Sequence, residues 1–452
     1  HEQAALDAIR TLGLELQVIF NKGAVMILPS GENKATGLCA ALEELCLSAH
    51  NVVGIGDAEN DHALLEMCEL SVAVANAIPS LQTRADIVTV GARGTGVQEL
   101  IERLLREPGD PVLAPPRHRI PIGRTQDEEV AIDPHGRHLL VSGPSGAGKS
   151  TLTNTLLEQL ADRRYQFCLL DPEGDYEGFT RAIRIGTPHT APSIEEVAAA
   201  LQRPDQNVIV SLTGVARSDR PAYFASLLPR ILELRAVTAR PHWLVIDEAH
   251  HVLPADWQGA ATLIPQAWSS LAMVTLEPDR VSPLATQDVD LVVAVGEVLP
   301  ELSDLLGARG IHAGRDTLPP GTARLWRLAA DPVPVTPVTF DVRPPVEQHR
   351  RHRRKYVEGS LTPETQFVFT GPEGRLRLTA QNLSEFMRLA EGVDEETWNY
   401  HLRRGDFSEW FRHVIKDEEL ADVVGNVESQ PAQSRVAGME ALRRAIEERY
   451  SV

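Results

Sequence analysis

The stretch HLLVSGPSGAGKST, residues 138–151, decides the fold of the central third of the chain. Its apolar start predicts a buried strand, and the leucine spacing over residues 152–160 predicts a helix after it. The loop between them has the pattern GxxxxGK[ST], in the strand–loop–helix context that this pattern requires. Glycines let backbone N–H groups approach phosphate oxygens, and the next helix adds its unsatisfied N–H groups and positive dipole end. The sequence therefore predicts a nucleotide-phosphate site.

This loop supplies the predicted nucleotide-binding residues, which are Gly143, Pro144, Ser145, Gly146, Ala147, Gly148, Lys149, Ser150 and Thr151. We expect Lys149 to reach the β- and γ-phosphates and to act in catalysis, and Ser150 to bind Mg²⁺. The cofactors implied are ATP and Mg²⁺. The alternative is a flexible glycine-rich loop, which the flanking strand and helix disfavour.

A second apolar run, Trp243-Leu244-Val245-Ile246, ends in the carboxylates Asp247 and Glu248. A buried strand would deliver Asp247 to the metal, and Glu248 would polarise a water against the γ-phosphate as general base. The pattern is weak alone, but its position downstream of a phosphate loop strengthens it. A third run, FCLL at residues 167–170, leads into the acidic turn DPEGDY at residues 171–176. This turn either contributes to a ligand edge or is an ordinary turn, and the sequence leaves both open.

The central segment resembles the HerA/FtsK branch of P-loop ATPases in the loop, the DPEGDY turn and LVIDEAHH at residues 244–251. The resemblance implies a RecA-like sheet, Mg-ATP hydrolysis and often a ring hexamer that pumps DNA. Two features depart from that pattern. Residues 255–272 contain no arginine or lysine, where relatives carry a basic residue that acts on a neighbouring ATP. Thr275 stands where relatives have a glutamine sensor, so we consider Thr275 a substitute sensor and Arg280 a displaced finger.

The first segment alternates strand-like runs at residues 52–55 and 71–74 with helical patterns at 38–47 and 62–68. Asp57 and Asp61 follow the first of these strands, and their oxygens suit Mg²⁺. The order of NKATG at residues 33–37, GDAEND at 56–61 and VANA at 74–77 resembles the haloacid dehalogenase-like (HAD) phosphatases with a large α/β cap. The resemblance implies that Asp57 and Asp61 bind Mg²⁺ and that Lys34 and Asn60 position the phosphate or the loop. The alternative is that these carboxylates are turn residues.

The HAD resemblance lacks one part, because no DxDG-type nucleophile motif precedes Lys34. Since covalent catalysis needs its nucleophile, we expect no phosphatase activity from this chain alone. Either the chain is a fragment of a longer phosphatase–ATPase fusion, which we favour, or the half-domain is structural.

The fold class expected is α/β, in four segments. A partial HAD-like domain at residues 1–107 holds the end of the cap and the C-terminal half of an incomplete Rossmann-like core. A P-loop ATPase domain at 117–345 has a RecA-like parallel sheet with helices on both faces. A small, mostly helical α+β module at 358–426 is followed by a charged helical tail at 427–452. The Pro-rich residues 107–122 are a linker or the edge of the second domain.

In the C-terminal module, residues 367–369 and 376–378 predict a hairpin, and residues 384–424 predict helices. His401, Arg404 and Asp406 form either a polar site or a satisfied network around Trp398 and Trp410, and we favour the network.

Composition limits the function classes. The net charge of −19 argues against nucleic acid, and the basic run at residues 349–355 is read as a solvated linker. The sequence has no apolar run near the ~20 residues of a membrane helix. Four scattered cysteines suggest a reducing, cytoplasmic setting. The hypotheses are an ATPase fused to a HAD half, a nucleotide-sensing scaffold with slow turnover, and a DNA translocase; the oligomeric state, a hexamer included, is left open.

Overall fold

The computed structural model describes residues 2–106, 114–257, 259, 270–314, 316–328, 336–346, 366–415, 417–429 and 435–449. The chain divides into two compact units. The first comprises His1–Gly143, Gly148–Pro172 and Thr180–Glu347, and the second comprises Pro144–Ala147, Glu173–Phe179 and Gln348–Val452. Within the described part of the chain, no helix combines the length and apolar character needed to cross a membrane.

The N-terminal residues of the first unit form a hairpin and a small parallel sheet. Strands β1 (Leu16–Asn21) and β2 (Ala24–Pro29) pair antiparallel. Strands β3 (Val53–Gly56), β4 (Leu70–Ala73) and β5 (Ile87–Val88) form a parallel sheet in that order. The helices are α1 (Glu2–Leu12), α2 (Lys34–Glu44), α3 (His62–Met67), α4 (Pro79–Arg84) and α5 (Gly94–Arg106).

Helix α2 begins earlier than the apolar periodicity of residues 38–47 predicts. Asn33 caps it, because its side chain accepts hydrogen bonds from the N–H groups of Ala35 and Thr36. The predicted start of α2 at residue 38 was therefore wrong. The polar cap residue Asn33 fixes the first turn, and the spacing of apolar residues does not detect a polar cap.

The rest of the first unit contains a sheet of eleven strands in the order β10-β11-β9-β12-β13-β8-β14-β15-β16-β6-β7. Their bounds are β6 (Ile120–Arg124), β7 (Glu129–Ile132), β8 (His138–Ser142), β9 (Phe167–Asp171), β10 (Ile183–Ile185), β11 (Val208–Ser211), β12 (Trp243–Ile246), β13 (Leu271–Thr275), β14 (Leu291–Val295), β15 (Thr322–Arg327) and β16 (Val338–Val342). From β10 to β14 every neighbouring pair is parallel, which confirms the predicted parallel sheet.

Both faces of the parallel part are covered. Every residue of β8, β9, β12, β13 and β14 is buried, and successive side chains of a strand point to opposite faces. The helices of this region are α6 (Lys149–Asp162), α7 (Ile194–Gln202), α8 (Arg220–Thr238), α9 (Ala249–Val252), α10 (Pro283–Thr286) and α11 (Pro300–Gly307).

Four antiparallel strands extend the sheet beyond β14, which the sequence did not predict. Residues 120–122, left open as linker or domain edge, lie in β6 and so belong to this edge. The β6–β7 register shifts between Pro121 and Gly123, where proline lacks the N–H that a regular ladder needs. Gly123 packs closely, because a Cβ there would lie 2.3 Å from the carbonyl oxygen of Asp341.

In the second unit, β17 (Phe367–Phe369) pairs antiparallel with β18 (Leu378–Ala380). The hairpin is confirmed, but its second strand lies two residues later than predicted, because Leu376 donates its N–H to Thr370 within the connecting loop. The helices are α12 (Leu383–Gly392), α13 (Glu395–Arg404), α14 (Asp406–Trp410), α15 (Glu418–Ser429) and α16 (Arg435–Arg449), with a π-turn at Phe411–Ile415.

One aromatic core unites these helices, built around Phe367, Phe369, Phe386, Trp398 and Phe407. Leu442 and Ile446 of the tail helix α16 lie in the same cluster. The proposed boundary between residues 426 and 427 falls inside α15, so separating a module from a tail remains a prediction that this packing does not favour.

Candidate functional site

The phosphate loop lies between β8 and α6. Gly146 and Gly148 have φ angles of +85° and +107°, in the left-handed region that favours glycine. Gly148 is the N-cap of α6, and Lys149 is the first residue of the helix. Residues other than glycine rarely adopt these conformations, so the loop backbone depends on these two glycines.

Gly143, at the start of this loop, has no room for a side chain. A Cβ there would lie 2.2 Å from the carbonyl oxygen of Val295, the last residue of β14. Lys149 is buried, and its Nζ donates a hydrogen bond of 2.9 Å to the carbonyl of Gly143. The lysine ammonium thus lies beside the backbone of the loop in which it was predicted to bind phosphate.

The sheet brings the second predicted element to the same edge. Strand β13 lies between β8 and β12, with Ser142 opposite Thr275 and Met273 opposite Ile246. Asp247 directly follows β12, and the phosphate loop directly follows β8. Because these strands are parallel, Asp247 and the loop lie at the same edge of the sheet. Only strand β13 separates β8 from β12.

Asp247 is 5% exposed and is held by its backbone and by its carboxylate. Its N–H donates to the carbonyl of Leu170 on β9, and its Oδ1 accepts from the N–H of Glu248 at 3.0 Å. Glu248 has a φ of +41°, which is unusual for a side chain other than glycine. Strained backbone of this kind is concentrated at functional sites.

A buried histidine connects Glu248 with the end of β13. His250 Nδ1 lies 3.0 Å from Thr275 Oγ1 and 3.5 Å from Glu248 Oε2, and its Nε2 lies 3.4 Å from Glu277 Oε2. Thr275 Oγ1 also accepts the N–H of Glu277 at 3.0 Å. The structure therefore brings together Glu248 and Thr275, two of the predicted site residues, through a histidine that the sequence analysis did not assign.

Arg280, the predicted displaced finger, has a side chain that is 67% exposed. Its Nη1 lies 3.6 Å from Glu277 Oε2. This position fits an arginine that reaches outward, and its role remains a prediction.

Two arginines that contact His251 were missed. Arg220, at the start of α8, is buried; it donates to the carbonyl of Pro172 at 2.9 Å, and its Nη1 lies 3.4 Å from His251 Nδ1. The Nη2 of Arg217 contacts His251 Nε2. A basic residue was expected only within residues 255–272, of which 258 and 260–269 lie outside the described residues. The signal was available in ARSDR at residues 216–220, because β11 joins the same parallel sheet as β12.

Asp171, the first residue of the acidic turn, is fully buried at the end of β9 and lies opposite Ser211. Because β9 is the parallel neighbour of β12, the Asp171 carboxylate lies at the same edge of the sheet as Asp247. Glu173–Phe179 belongs to the second unit. A ligand role for the turn remains open.

The HAD-like residues form a second cluster. Asp61 is buried, and its Oδ1 pairs with the ammonium of Lys34. Its Oδ2 accepts the N–H groups of Asp57 and Ala58 at 2.9 and 3.0 Å. Burial raises the pKa of Asp61, but Lys34 and the two N–H donors outweigh it and hold that pKa below its usual value. Gly56 has no room for a Cβ, which would lie 2.6 Å from the Asp61 Cβ.

Asp57 contacts a lysine that the sequence analysis missed. The Lys22 ammonium pairs with Asp57 Oδ2, and both side chains are partly exposed. Lys22 lies in the β1–β2 turn with a φ of +46°, and its N–H donates to Glu59 at 3.0 Å. The local signal was a Lys-Gly pair between two strand-like runs.

Asn60 and Asn76 make contacts that were not predicted. Asn60 Nδ2 lies 3.8 Å from the Met26 sulfur, and among the described residues its buried Oδ1 has no hydrogen-bond partner. Asn76 Oδ1 accepts the N–H of Arg93 at 2.7 Å.

The donor sets bear on the predicted Mg²⁺ sites. The Ser150 hydroxyl and the Asp247 carboxylate offer the oxygens that Mg²⁺ prefers. In the HAD-like cluster the oxygens of Asp61 are engaged by Lys34 and two N–H groups, so Asp57 is the better donor. Asp61 fits the supporting role.

In the second unit, His401 Nδ1 lies 2.7 Å from Asp406 Oδ2, and its Nε2 accepts the N–H of Thr370 at 3.1 Å. Arg404 Nε also donates to Asp406 at 3.1 Å. His401 is buried against Phe367 and Phe369. This arrangement fits a satisfied network better than an open polar site.

Comparison with known families assigns both segments. Residues 13–101 match the family model described as haloacid dehalogenase-like hydrolase, and residues 129–275 match the one described as AAA ATPase domain. The HAD-like and P-loop ATPase assignments are thereby confirmed. The finer placement in the HerA/FtsK branch remains a prediction.

Curated relatives match the N-terminal segment. Phosphoglycolate phosphatase 2 of Saccharolobus solfataricus is 37% identical over 100 residues, which is 22% of this chain and 42% of that protein. Phosphoglycolate phosphatase of Methanopyrus kandleri is 39% identical over 105 residues, 23% of this chain and 45% of that protein. Stress response protein YhaX of Bacillus subtilis is 35% identical over 102 residues, 23% of this chain and 32% of that protein. The chain spans less than half the length of these relatives.

Solved structures match each segment in part. The genome packaging NTPase B204 of Sulfolobus turreted icosahedral virus 2, in complex with ATP-gammaS, is 13% identical with a TM-score of 0.33. That match covers 47% of this chain and 99% of the viral chain. A haloacid dehalogenase-like hydrolase from Bacteroides thetaiotaomicron is 30% identical with a TM-score of 0.20, over 22% of this chain and 38% of that chain.

Proposed function

We propose that this chain, in which a HAD-like segment precedes an AAA ATPase domain, binds Mg-ATP at residues 143–151 and hydrolyses it. The supporting observation is the shared sheet edge, where Gly143 and Asp247 follow two strands separated only by β13. A P-loop and a carboxylate pair at this spacing are the parts that phosphoryl transfer to water requires.

The residues have distinct tasks in this proposal. Lys149 leaves the Gly143 carbonyl and binds phosphate oxygens, while the N-terminus of α6 presents its N–H groups to them. Ser150 and Asp247 hold Mg²⁺, which neutralises developing charge on the phosphates when bound. Glu248 orients and deprotonates the attacking water. His250 and Thr275 position the Glu248 carboxylate through their contacts.

The test is phosphate release from ATP by the purified chain, with and without a chelator of Mg²⁺. We expect release that stops when Mg²⁺ is removed and returns when it is added back. Calorimetric titration with a non-hydrolysable ATP analogue measures binding separately. Binding without release would overturn the hydrolase proposal and leave the nucleotide site standing, whereas absence of both would overturn the site.

A nucleotide-sensing scaffold with slow turnover is the second candidate. Two observations favour it: residues 255–272 lack a basic residue, and Glu248 lies 3.5 Å from the His250 ring that would compete for its carboxylate. A DNA translocase is the third, and the net charge of −19 weighs against it. Turnover that rises with added DNA, together with a hexameric mass in solution, would favour the translocase.

We further propose that the HAD-like segment holds part of a phosphatase site without its nucleophile. Lys34, Asp57 and Asp61 lie together, and no nucleophile motif precedes Lys34 in the sequence. Phosphatase activity is therefore not expected from this chain alone. A cytoplasmic location also remains a proposal, supported by four unpaired cysteines.

A further inference from the structure

A cluster of histidines surrounds one buried carboxylate in the first unit, where the HAD-like segment packs against the ATPase domain. The carboxylate is Glu69, whose side chain is 9% exposed. It lies 2.6 Å from His50 Nδ1, 3.1 Å from His135 Nε2 and 3.7 Å from His118 Nε2. The Tyr165 hydroxyl donates to it at 2.8 Å. The cluster thus joins residues that precede β3, β4, β6, β8 and β9.

The contacts of His50 leave its Nδ1 facing the Glu69 carboxylate. Its Nε2 lies 2.6 Å from the carbonyl oxygen of Arg163, which can only accept, so Nε2 carries the ring proton. A neutral ring then presents a lone pair from Nδ1 to a Glu69 oxygen at 2.6 Å. Two acceptors at that distance repel each other, and a cation bound between them would remove that repulsion.

His118 points to a metal ion as that cation. Its Nε2 is buried and has no hydrogen-bond partner among the described residues. One atom each of His50, Glu69 and His118 lies within 4.8 Å of the other two. Ligands around a tetrahedral Zn²⁺ lie ~3.3 Å apart, given bonds of about 2.0 Å.

We propose that His50 Nδ1, His118 Nε2 and one Glu69 oxygen bind a divalent transition metal of the Zn²⁺ class, with His135 or a water as the fourth ligand. Two imidazoles and a carboxylate suit Zn²⁺, whereas Mg²⁺ prefers oxygen alone. The ion would link the HAD-like segment to the start of the ATPase domain, so its role is structural. Neither the nucleotide site nor the HAD-like cluster uses these residues.

Outer contacts already orient the ligands. The Arg163 carbonyl fixes the His50 tautomer, and Tyr165 both donates to Glu69 and stacks on the His50 ring at a centroid distance of 3.8 Å. Such partners normally accompany metal-binding histidines and carboxylates. The His50 and Glu69 atoms would separate by less than ~1 Å to admit an ion with bonds of about 2.0 Å.

The experiment uses the full chain without a histidine tag, stripped of metal by a chelator and returned to buffer with excess Mg²⁺, which occupies the oxygen sites. Co²⁺ is then titrated as a spectroscopic substitute for Zn²⁺, and Zn²⁺ is added last. We expect one Co²⁺ per chain with the visible absorption of a tetrahedral ion, and its displacement by Zn²⁺. Zn²⁺ should also raise the melting temperature of the wild type.

His118→Asn is the decisive variant, because within the described part of the chain the buried His118 Nε2 has no hydrogen-bond partner to lose. We expect its Co²⁺ affinity to fall at least ~100-fold and the Zn²⁺-dependent melting shift to vanish. His189→Asn, at an exposed position of the ATPase domain, is the matched control and should behave as the wild type. Tyr165→Phe should bind the ion ~10-fold more weakly.

Two outcomes would overturn the proposal. A wild type that takes up no Co²⁺ in the presence of Mg²⁺ means that the cluster of His50, Glu69 and His118 holds no such ion. Unchanged tetrahedral absorption in His118→Asn means that the ion binds elsewhere. If His118→Asn has an altered circular dichroism spectrum, His118→Gln is measured by the same criteria.

Discussion

The Lys149 ammonium donates a hydrogen bond of 2.9 Å to the carbonyl of Gly143, and so connects the two ends of the phosphate loop. Strand β8 ends immediately before Gly143, and helix α6 begins at Lys149. The lysine is thus held against the loop at the point where phosphate oxygens would compete with a backbone carbonyl for it. A charged oxygen is the stronger acceptor, so ATP should draw the lysine away.

Lys149→Ala should abolish tight nucleotide binding. A hydrogen bond to a charged group contributes about 1.5–3 kcal/mol, so we expect ATP affinity to fall ~10–100-fold or more. Calorimetric titration with an ATP analogue measures it. Lys22→Ala, which removes a lysine of the HAD-like segment, should bind ATP as the wild type does. Equal ATP affinity of Lys149→Ala and wild type would exclude the loop as the nucleotide site.

Glu248→Gln should retain nucleotide binding and lose turnover. The amide keeps the size of the side chain but cannot accept the proton of the attacking water, and a general base contributes about 10²–10⁴-fold. Steady-state phosphate release measures this effect, and titration checks that binding persists. Glu301→Gln, at an exposed position in the first turn of α11, is the control. Equal release by Glu248→Gln and wild type would remove Glu248 from the role of base.

Gly143→Ala should destabilise the first unit more than a glycine substitution normally does. The added Cβ would meet the Val295 carbonyl oxygen at 2.2 Å, so β8 and β14 must move apart at the end that carries the loop. Gly307→Ala is the matched control, because a Cβ there meets nothing within 4 Å. We expect thermal melting to shift downward only for Gly143→Ala. A wild-type melting temperature in Gly143→Ala would mean that the close approach does not exist.

The sequence predicted the local elements of the ATPase domain well. The strand before Gly143, the loop and the helix after Lys149 follow one another, so apolar periodicity and glycine spacing describe them. The antiparallel extension was not predicted, because β16 pairs with β6 through Asp341 and Arg124, far apart in the chain. The local sequence of β16 does not indicate that β6 is its partner strand.

For the candidate site too, residues with a local sequence pattern could be predicted, whereas contacts between distant parts of the chain could not. Asp247, Glu248 and Asp57 could be predicted as site residues because each follows an apolar strand. Lys22 and Arg220 lie in local patterns that the sequence shows, but their contacts with Asp57 and with His251 exist only in the folded chain. His250 was visible in the sequence, but only the register that places Thr275 beside it gives it a role.

Asp61→Asn should make the HAD-like segment less stable at neutral pH and leave it unchanged in acid. The folded pKa of Asp61 lies below its unfolded value, so its carboxylate stabilises the fold above the unfolded pKa of about 3.9. That contribution is lost as the pH falls through the folded pKa. Thermal melting from pH 7 down to acid measures the difference between variant and wild type. Asp127→Asn, at an exposed position, is the control. A difference in melting temperature between Asp61→Asn and wild type that grows in acid would contradict a lowered pKa of Asp61 in the folded chain.

The chain should hydrolyse p-nitrophenyl phosphate no faster than its Asp57→Asn variant. In our proposal Asp57 binds a metal and Lys34 a phosphoryl group, but attack on phosphorus needs a nucleophile, and no DxDG-type motif that would supply it precedes Lys34 in this sequence. The assay is run with Mg²⁺ in the Lys149→Ala background, so that the ATPase site cannot contribute. Phosphate release that persists in Lys149→Ala and disappears when Asp57→Asn is added would contradict this prediction. It would show that another residue of the chain supplies the nucleophile for the HAD-like cluster. Because Asp57 already pairs with Lys22, Lys22→Ala should strengthen Mg²⁺ binding at Asp57 and still give no turnover.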